Sequence, residues 1–336
     1  MTRMVVLGGS GFLGGRVVAA LKAAGADVQV ASRRSAVAVD VTQPATWEAL
    51  APFELVIDLS DTVSHAPDEL IAWCLARGKT VIEATSDAPC VERLQARFGT
   101  ETRGRLVLGG GIFTGVSNLL AQDVARAVGT VEAVTLGVSS SPFSGSGKGT
   151  IELMLRAMEV PAVRYERGQR VEEPKIRKGP VLDFGNARRP TGFMSLAEPS
   201  MVRASTKAAD VEVLFAPKPS LLVTAFVLLP AWLVRQKWFH AFMRAYFTVL
   251  RRVLLRSVPS SVQLVASARG GGQTVTRHVH SPDGMEGAGY ALAAMAEGVA
   301  SAAPWQGVRC IDELVDLGPI VARANALAGK TVLAVS

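Results

Sequence analysis

Behind the apolar run Met4–Leu7 the chain reads GGSGFLGG, and its glycines fall at two spacings that have chemical meaning. Gly9, Gly11 and Gly14 give G-x-G-x-x-G, while Gly8, Gly11 and Gly14 give G-x-x-G-x-x-G. Either pattern suits a pyrophosphate. One glycine permits a tight turn, one lets the backbone approach the phosphates, and one lets a helix pack close to a strand. The helix that follows points its positive N-terminal end at the anion. Gly8, Gly9, Ser10, Gly11, Phe12, Leu13 and Gly14 are therefore the expected phosphate cradle.

Such a cradle has to be held by a strand before it and a helix after it. Residues 3–7 predict a short buried strand, and FLGGRVVAALKAAG continues as a helix. Leu13, Val17, Ala20, Leu21 and Ala24 keep helical spacing there, and Gly25 ends it. The next strand, 26–34, finishes on Ser32, Arg33 and Arg34. Sites that prefer NAD carry an acid at this point for the ribose hydroxyls. A hydroxyl and two guanidiniums suit a 2′-phosphate instead, so the expected cofactor is NADP(H).

The alternation continues through Ala36–Val41, with Asp40 at the adenine edge, then strands at 53–61, 80–89 and 105–115 and a helix at 65–79. Ligands of open parallel sheets lie beyond the carboxyl ends of the strands. That rule marks Ser60, Asp61, Thr85, Ser86, Asp87 and Gly111–Gly115. Five strands with helical crossovers predict an α/β chain. Its N-terminal domain, 1–125, is a Rossmann-type doubly wound parallel sheet, followed by a second mixed α/β domain over 126–336. Residues 285–310 are expected to pack back on the first domain.

Two alternatives fail on residue type. Short-chain dehydrogenases and epimerases need a Tyr with a Lys four residues on. Tyr165, Tyr246 and Tyr290 are followed at that spacing by Gln169, Leu250 and Ala294. SGSGKGT (144–150) has the look of a Walker A loop. However, Gly149 follows Lys148 where Ser or Thr is required, and Pro142 replaces the first glycine.

GGGIFTGVSNLLAQDVA (109–125) behind a Rossmann start resembles the saccharopine dehydrogenase-like oxidoreductases. Their signature is a glycine-rich strand end, then Pro-Gly, then Ser-Asn opening a helix. Gly115, Ser117 and Asn118 match, and Thr114 replaces the proline. VIEATSDAP is similar to the family's strand ending in Thr-Gly-Glu, with Ser86 for Gly and Asp87 for Glu. SGSGKGTIELML (144–155) is similar to its Ser-Gly-Gly-Thr turn, and 285–302 with 307–314 to its last helix and tail. The likeness spans most of the chain outside roughly 155–280. It implies an NADP-binding domain, a second domain that closes the site and often mediates dimerisation, and hydride transfer at a C–N bond of an imine.

Read chemically, Ser117 suits an N-cap, and Asn118 can hydrogen-bond a ribose or carboxamide. Lys148, in a glycine loop, can bind a carboxylate or protonate a leaving group, or simply be solvated. Arg188 and Arg189 can clamp a carboxylate or lie on the loop surface. Lys148, Asp87 and Arg189 are the catalytic candidates. His278 and His280 share a strand face with only Asp283 near, and His65 and His240 are isolated, so no metal is expected. The lack of an evident general acid leaves room for a non-catalytic NADP-binding sensor or scaffold.

Nearly half of the 336 residues are apolar, which excludes a disordered chain. Cys74, Cys90 and Cys310 offer neither a zinc site nor a disulfide framework, which fits a reducing cytoplasm. The strand so near the N-terminus leaves no room for a secretion signal. The net charge of +7 is local. Between Glu212 and Asp283 there is no acid but nine Lys and Arg, against 27 basic and 29 acidic residues elsewhere. Nucleic acid is therefore not an expected partner.

That acid-free segment includes PSLLVTAFVLLPAWLVRQKWFHAFMRAYFTVLRRVLLRSVP (219–259). Its apolar run 221–234 is broken by Pro230 and is too short to span a bilayer. Beyond it, Phe239, Phe242, Met243, Tyr246, Leu250, Val253 and Leu254 share one helical stripe. His240, Arg244, Thr248, Arg251 and Arg252 share the other. Four settings suit 219–256: packing on its own domain, the inner membrane surface, a homodimer contact, or a lid over a hydrophobic substrate. A small-molecule substrate and a homodimer are the expected partners.

Overall fold

The computed structural model describes residues 2–62, 64–101, 103–141, 148–174, 176–253 and 260–336. Side chains are described at all of these except 148–150, 231, 247, 248 and 250–253. The chain divides into two units: Met1–Leu119 with Glu286–Val332, and Leu120–Met285 with Leu333–Ser336.

In the first unit the strands are β1 (Met4–Leu7), β2 (Val28–Ser32), β3 (Val37–Ala38), β4 (Leu55–Asp58), β5 (Thr80–Glu83) and β6 (Arg105–Leu108). Between them lie α1 (Phe12–Ala23), α2 (Asp68–Ala76) and α3 (Ala88–Phe98), and α4 (Ser117–Val128) follows β6. A seventh strand, Gly307–Cys310, pairs with β6. The order is Gly307–Cys310, β6, β5, β4, β1, β2, β3, with every pairing parallel. Chain direction across the sheet reverses between β1 and β4, the switch point where doubly wound sheets open a crevice.

Every residue of β1, β4 and β5 is buried, as a sheet covered on both faces requires. The strands stop short of the expected spans: 53–61 contracts to Leu55–Asp58, and 80–89 to Thr80–Glu83. The polar residues beyond leave the ladder and form the sheet's carboxyl edge. The expected five strands are joined by the edge strands β3 and Gly307–Cys310. The division between units falls at Leu119, inside α4 and ahead of the expected boundary at 125, and residues 311–332 belong to the first unit, not the second.

The second unit is built on a mixed nine-stranded sheet. Its strands are β7 (Ala133–Ser140), β8 (Ala162–Glu166), β9 (Gln169–Glu173), β10 (Arg177–Asp183), β11 (Arg188–Phe193), β12 (Asp210–Pro217), β13 (Val262–Gly270) and β14 (Gln273–Ser281), with Ala334–Val335 at the edge. β12 and β7 are parallel and the other pairs antiparallel. The β13–β14 hairpin closes on Gly271 and Gly272, both at positive φ (56° and 76°), the pair of angles that a two-residue hairpin turn demands.

Helices α5 (Lys148–Glu159), α6 (Glu198–Thr206), α7 (Leu221–Leu228), α8 (Ala231–Val234) and α9 (Lys237–Val253) complete it. Here the structure corrects the helical stripe expected over 239–254. Phe239 is buried, and Met243 packs on Ile151 and Leu155. Beside them two polar residues of α9 pair with α5. His240 Nε2 lies 3.0 Å from Glu159 Oε1, and Arg244 Nε lies 2.6 Å from Glu152 Oε1, both acids on α5. Phe242 and Tyr246, expected with Phe239, are exposed instead. The expected stripe is thus divided, Phe239 and Met243 turned inward and Phe242 and Tyr246 outward. Leu254, and the side chains of Thr248 and 250–253, lie outside the described residues.

Candidate functional site

The turn from β1 into α1 is shaped by close backbone approach. Gly8 sits at φ +71°, and a Cβ there would stand 2.7 Å from Leu59 O. At Gly14 a Cβ would meet Gly8 O at 2.3 Å and Gly9 Cα at 2.7 Å. A Cβ on Gly9 would meet Val6 O at 2.8 Å, and one on Gly11 would meet Gly8 O at 3.0 Å. The Gly11 N–H donates to Gly8 O at 2.8 Å and closes the turn. Gly11 caps α1, whose first turn carries no acidic residue. The first-turn amides have no acceptor within a helix, so they suit an anion. Gly8 thus permits the turn, and Gly14 lets the helix pack close against it. Ser10 and Phe12 are exposed, and the Arg16 guanidinium lies 3.9 Å from the Phe12 ring centroid.

Facing this turn is a cavity of about 190 Å³. Gly8 and Gly11–Gly14 line one wall, and Asp58–Ser60 and Glu83–Thr85 line the other. The Ser60 hydroxyl is buried without a hydrogen-bond partner among the described residues, while its N–H donates to Asp58 Oδ1 at 2.8 Å. An orphaned buried hydroxyl beside a glycine turn and a helix N-terminus fits a polar ligand such as a pyrophosphate or ribose.

Sequence reasoning passed over the cavity floor. Asp58 and Glu83 end β4 and β5 in direct register, and both are buried. Burial pushes Glu83 well above the usual carboxylate range, and the neighbouring Asp58 charge pushes it further. Burial also raises Asp58, against the hydrogen bond it accepts from the Ser60 N–H. Asp58 Oδ2 and Glu83 Oε2 find no donor as carboxylates, yet the two carboxyls lie within hydrogen-bonding reach of each other. A proton on Glu83 donated to Asp58 satisfies both. The Thr85 N–H donates to Glu83 Oε1 at 3.0 Å, and the Thr62 hydroxyl donates to Thr85 Oγ1 at 2.8 Å. "LVID" and "TVIE" were visible as strand ends; only their register reveals a pair.

At the end of β2, Arg33 and Arg34 are exposed and form no ion pair among the described residues. The Arg34 N–H donates to Ser32 Oγ at 3.3 Å. Asp40 is bound into its own turn, its carboxylate accepting from Thr42 N–H at 3.0 Å, Thr42 Oγ1 at 2.7 Å and Gln43 Nε2 at 3.3 Å. These Thr42 hydrogen bonds, then Arg33, hold Asp40 below its ordinary value. Asp61 is likewise held in a turn, by Ser64.

Past β5, Asp87 is the N-cap of α3 and accepts the Cys90 N–H at 3.1 Å. Past β6 the glycine-rich segment is contorted: Gly109, Gly111 and Thr114 take φ values of 103°, 86° and 56°. Buried Thr114 donates to Thr85 O at 3.2 Å, which ties the two strand ends together. A Cβ on Gly115 would press on Gly110 C at 3.0 Å and Met295 Cε at 3.1 Å. Ser117, expected as an N-cap, itself takes helical angles (φ −60°, ψ −45°) and is the first residue of α4. Buried Asn118 carries an Nδ2 without a partner among the described residues.

The other two catalytic candidates belong to the second unit. Lys148 opens α5, and its side chain lies outside the described residues, as do residues 142–147 of the loop before it. Arg189 on β11 presents a buried Nε without a partner among the described residues. Its positive charge, after burial, helps lower the Lys218 amine to about 8. Lys218 donates to Ser261 Oγ at 3.1 Å, and its charge in turn lowers His280 after burial. Arg189 and Lys218 therefore form a cationic group that pushes neighbouring His280 toward its neutral form; Lys218 and His280 lie within the acid-free stretch and Arg189 outside it. Neither Lys218 nor His280 was singled out for this from sequence, because they lie 62 residues apart. Among the described residues no group of three His, Cys, Asp or Glu could hold a metal ion.

The fold and the turn define a Rossmann-type α/β unit, followed by a mixed-sheet unit. No protein-family model matches the chain, and no curated protein matches it. Among solved structures, the C. glutamicum DAP dehydrogenase in complex with DAP is 13% identical. It covers 96% of this chain and 98% of its own, with a TM-score of 0.46. The WlbA (WbpB) dehydrogenase from Thermus thermophilus in complex with NAD and UDP-GlcNAcA is 14% identical over 98% of this chain and 94% of its own, with a TM-score of 0.38. GenD2 from gentamicin A biosynthesis, in complex with NAD, is 15% identical over 82% and 72%, with a TM-score of 0.36.

Proposed function

We propose that the chain is an NADP(H)-dependent oxidoreductase, resembling the saccharopine dehydrogenase-like group, that acts on a C–N or related carbonyl-type substrate bearing an anionic group. The observation that carries this reading is the cavity between the Gly8–Gly14 turn and the ends of β4 and β5, with the orphaned Ser60 hydroxyl in it. Amides at the start of α1 would hold the pyrophosphate, and Arg33 and Arg34 with Ser32 would hold the 2′-phosphate. When bound, the nicotinamide supplies or accepts a hydride. Asp58 and Glu83 keep a proton within the cavity wall and prevent two bare charges from facing the phosphates. In the second unit, Arg189 and Lys218 suit a substrate carboxylate, and a Lys218 amine near 8 can hold or release a proton around neutral pH.

Titration of the intrinsic NADPH and NADH fluorescence tests the cofactor. NADPH should bind at least about tenfold more tightly, from the charge-assisted hydrogen bonds to the 2′-phosphate. Equal binding of the two, or none, refutes the cofactor assignment. Turnover of imine, ketone and enoyl panels then tests the reaction. Cofactor binding without turnover on any of them favours a sensor or scaffold.

A further inference from the structure

Seven of the ten large apolar residues that the described structure exposes fall within 29 residues: Leu221, Leu228, Trp232, Trp238, Phe242, Tyr246 and Val249. Four of them form a stripe on α9. Trp238, Phe242, Tyr246 and Val249 are 60, 58, 47 and 59% exposed. Their spacing of four, four and three residues follows one face of a helix for about 16 Å. Phe242 and Tyr246 stack with ring centroids 6.1 Å apart. Ala241 and Ala245 are exposed on the same side. The opposite side carries buried Phe239, with Met243, His240 and Arg244 against α5. Part of the apolar surface of the helix is thus packed, and the stripe from Trp238 to Val249 is presented to water.

The charge around the stripe selects what would cover it. Arg235 and Lys237 are exposed beside Trp238, and no acid occurs between Glu212 and Asp283. A second copy set against this face would bring like charges together with no acid of the segment to meet them. An anionic lipid surface meets both needs. The acyl boundary takes the aromatic stripe, the headgroups take the cations, and tryptophan favours that depth. Among the described residues no helix is long and apolar enough to cross a membrane, so contact here means lying on the surface.

We propose that the outward face of α9 (Trp238, Phe242, Tyr246 and Val249), with Arg235 and Lys237, is a docking surface for an anionic lipid bilayer. The test is flotation of the full chain with phosphatidylcholine vesicles, with and without phosphatidylglycerol. A salt series and quenching of tryptophan fluorescence by brominated lipid accompany it. The protein should float with the anionic vesicles, release as salt rises, and be quenched. W238S/F242S and R235E/K237E should each lower partition at least about tenfold, from lost apolar burial and lost charge attraction respectively. Both pairs are exposed, so melting temperatures should stay near wild type. Three results overturn the proposal: no flotation with anionic vesicles, both variants floating like wild type, or absent quenching. A solution oligomer dissociated by W238S/F242S, without vesicle binding, would assign the face to a second copy.

Discussion

Gly14 and Gly15 are adjacent in sequence and stand on the same first turns of α1, yet alanine should act in opposite directions at the two. At Gly14 the new Cβ would stand 2.3 Å from Gly8 O, whereas ordinary contact begins at 3.4 Å. The obstacle is backbone. Gly8 is pinned by its N–H to Ala31 O at 3.1 Å and Gly9 by its N–H to Val6 O at 3.1 Å, so the turn cannot yield. The start of the helix must move by about 1 Å, an overpacking that costs about 1–3 kcal/mol. The same displacement carries the first-turn amides away from the phosphates. Gly14→Ala should therefore lower the melting temperature by several degrees and weaken NADPH binding at least about tenfold, which is about 1.4 kcal/mol. At Gly15 the Cβ meets only Gly9 O at 3.8 Å. Gly15→Ala should stabilise the helix by about 0.5–1 kcal/mol through lost unfolded-state freedom and leave NADPH binding intact. Thermal melts and fluorescence titrations on the two variants decide the matter. If Gly14→Ala binds like wild type, or Gly15→Ala is equally damaged, the cradle is not where the cofactor phosphates bind.

Three further outcomes follow from the charged groups. R33A/R34A should cost NADPH about 10- to 100-fold in affinity and leave NADH nearly unchanged, a loss confined to the 2′-phosphate that parallel titrations would reveal. Glu83 has a folded-state pKa raised above its ordinary 4.5, so the folded protein binds the extra proton. Its contribution is complete below that value and lost as pH rises through the folded-state pKa. Glu83→Gln, which keeps a donor for Asp58, should flatten the fall of melting temperature toward alkaline pH; an unchanged slope assigns that fall elsewhere. Lys218, held at about 8 by burial and by Arg189, should be acetylated by acetic anhydride with a pH midpoint near 8, and Arg189→Ala should raise that midpoint. Labelling that tracks the ordinary lysines would disprove the cationic group.

Some of this was legible in the chain because it is decided within a few residues. The Gly8, Gly11 and Gly14 spacing reflects one turn of backbone folding onto itself, so the β1–α1 cradle could be located before any partner strand was known. The ends of the parallel strands were legible too, since each buried run breaks abruptly into polar residues. Other readings needed the neighbours. Asp87 had the look of a site acid, but capping α3 occupies it. Ser117 resembled a cap, yet the contorted segment before it places it inside the helix.

The alternation and the glycines alone determined a doubly wound sheet opening on a phosphate-shaped turn, because hydrophobic period and steric exclusion act locally. Which carboxyls would share a proton was decided only when β4 and β5 came into register and placed Asp58 against Glu83 out of reach of water. The orientation of α9 was decided the same way. Its sequence specifies two unlike faces, but a period cannot say which one looks outward. Phe239 is buried, Met243 packs on α5, and Glu152 and Glu159 meet Arg244 and His240, while Trp238, Phe242, Tyr246 and Val249 stay facing water, because one neighbouring helix covers only part of an apolar stripe this wide.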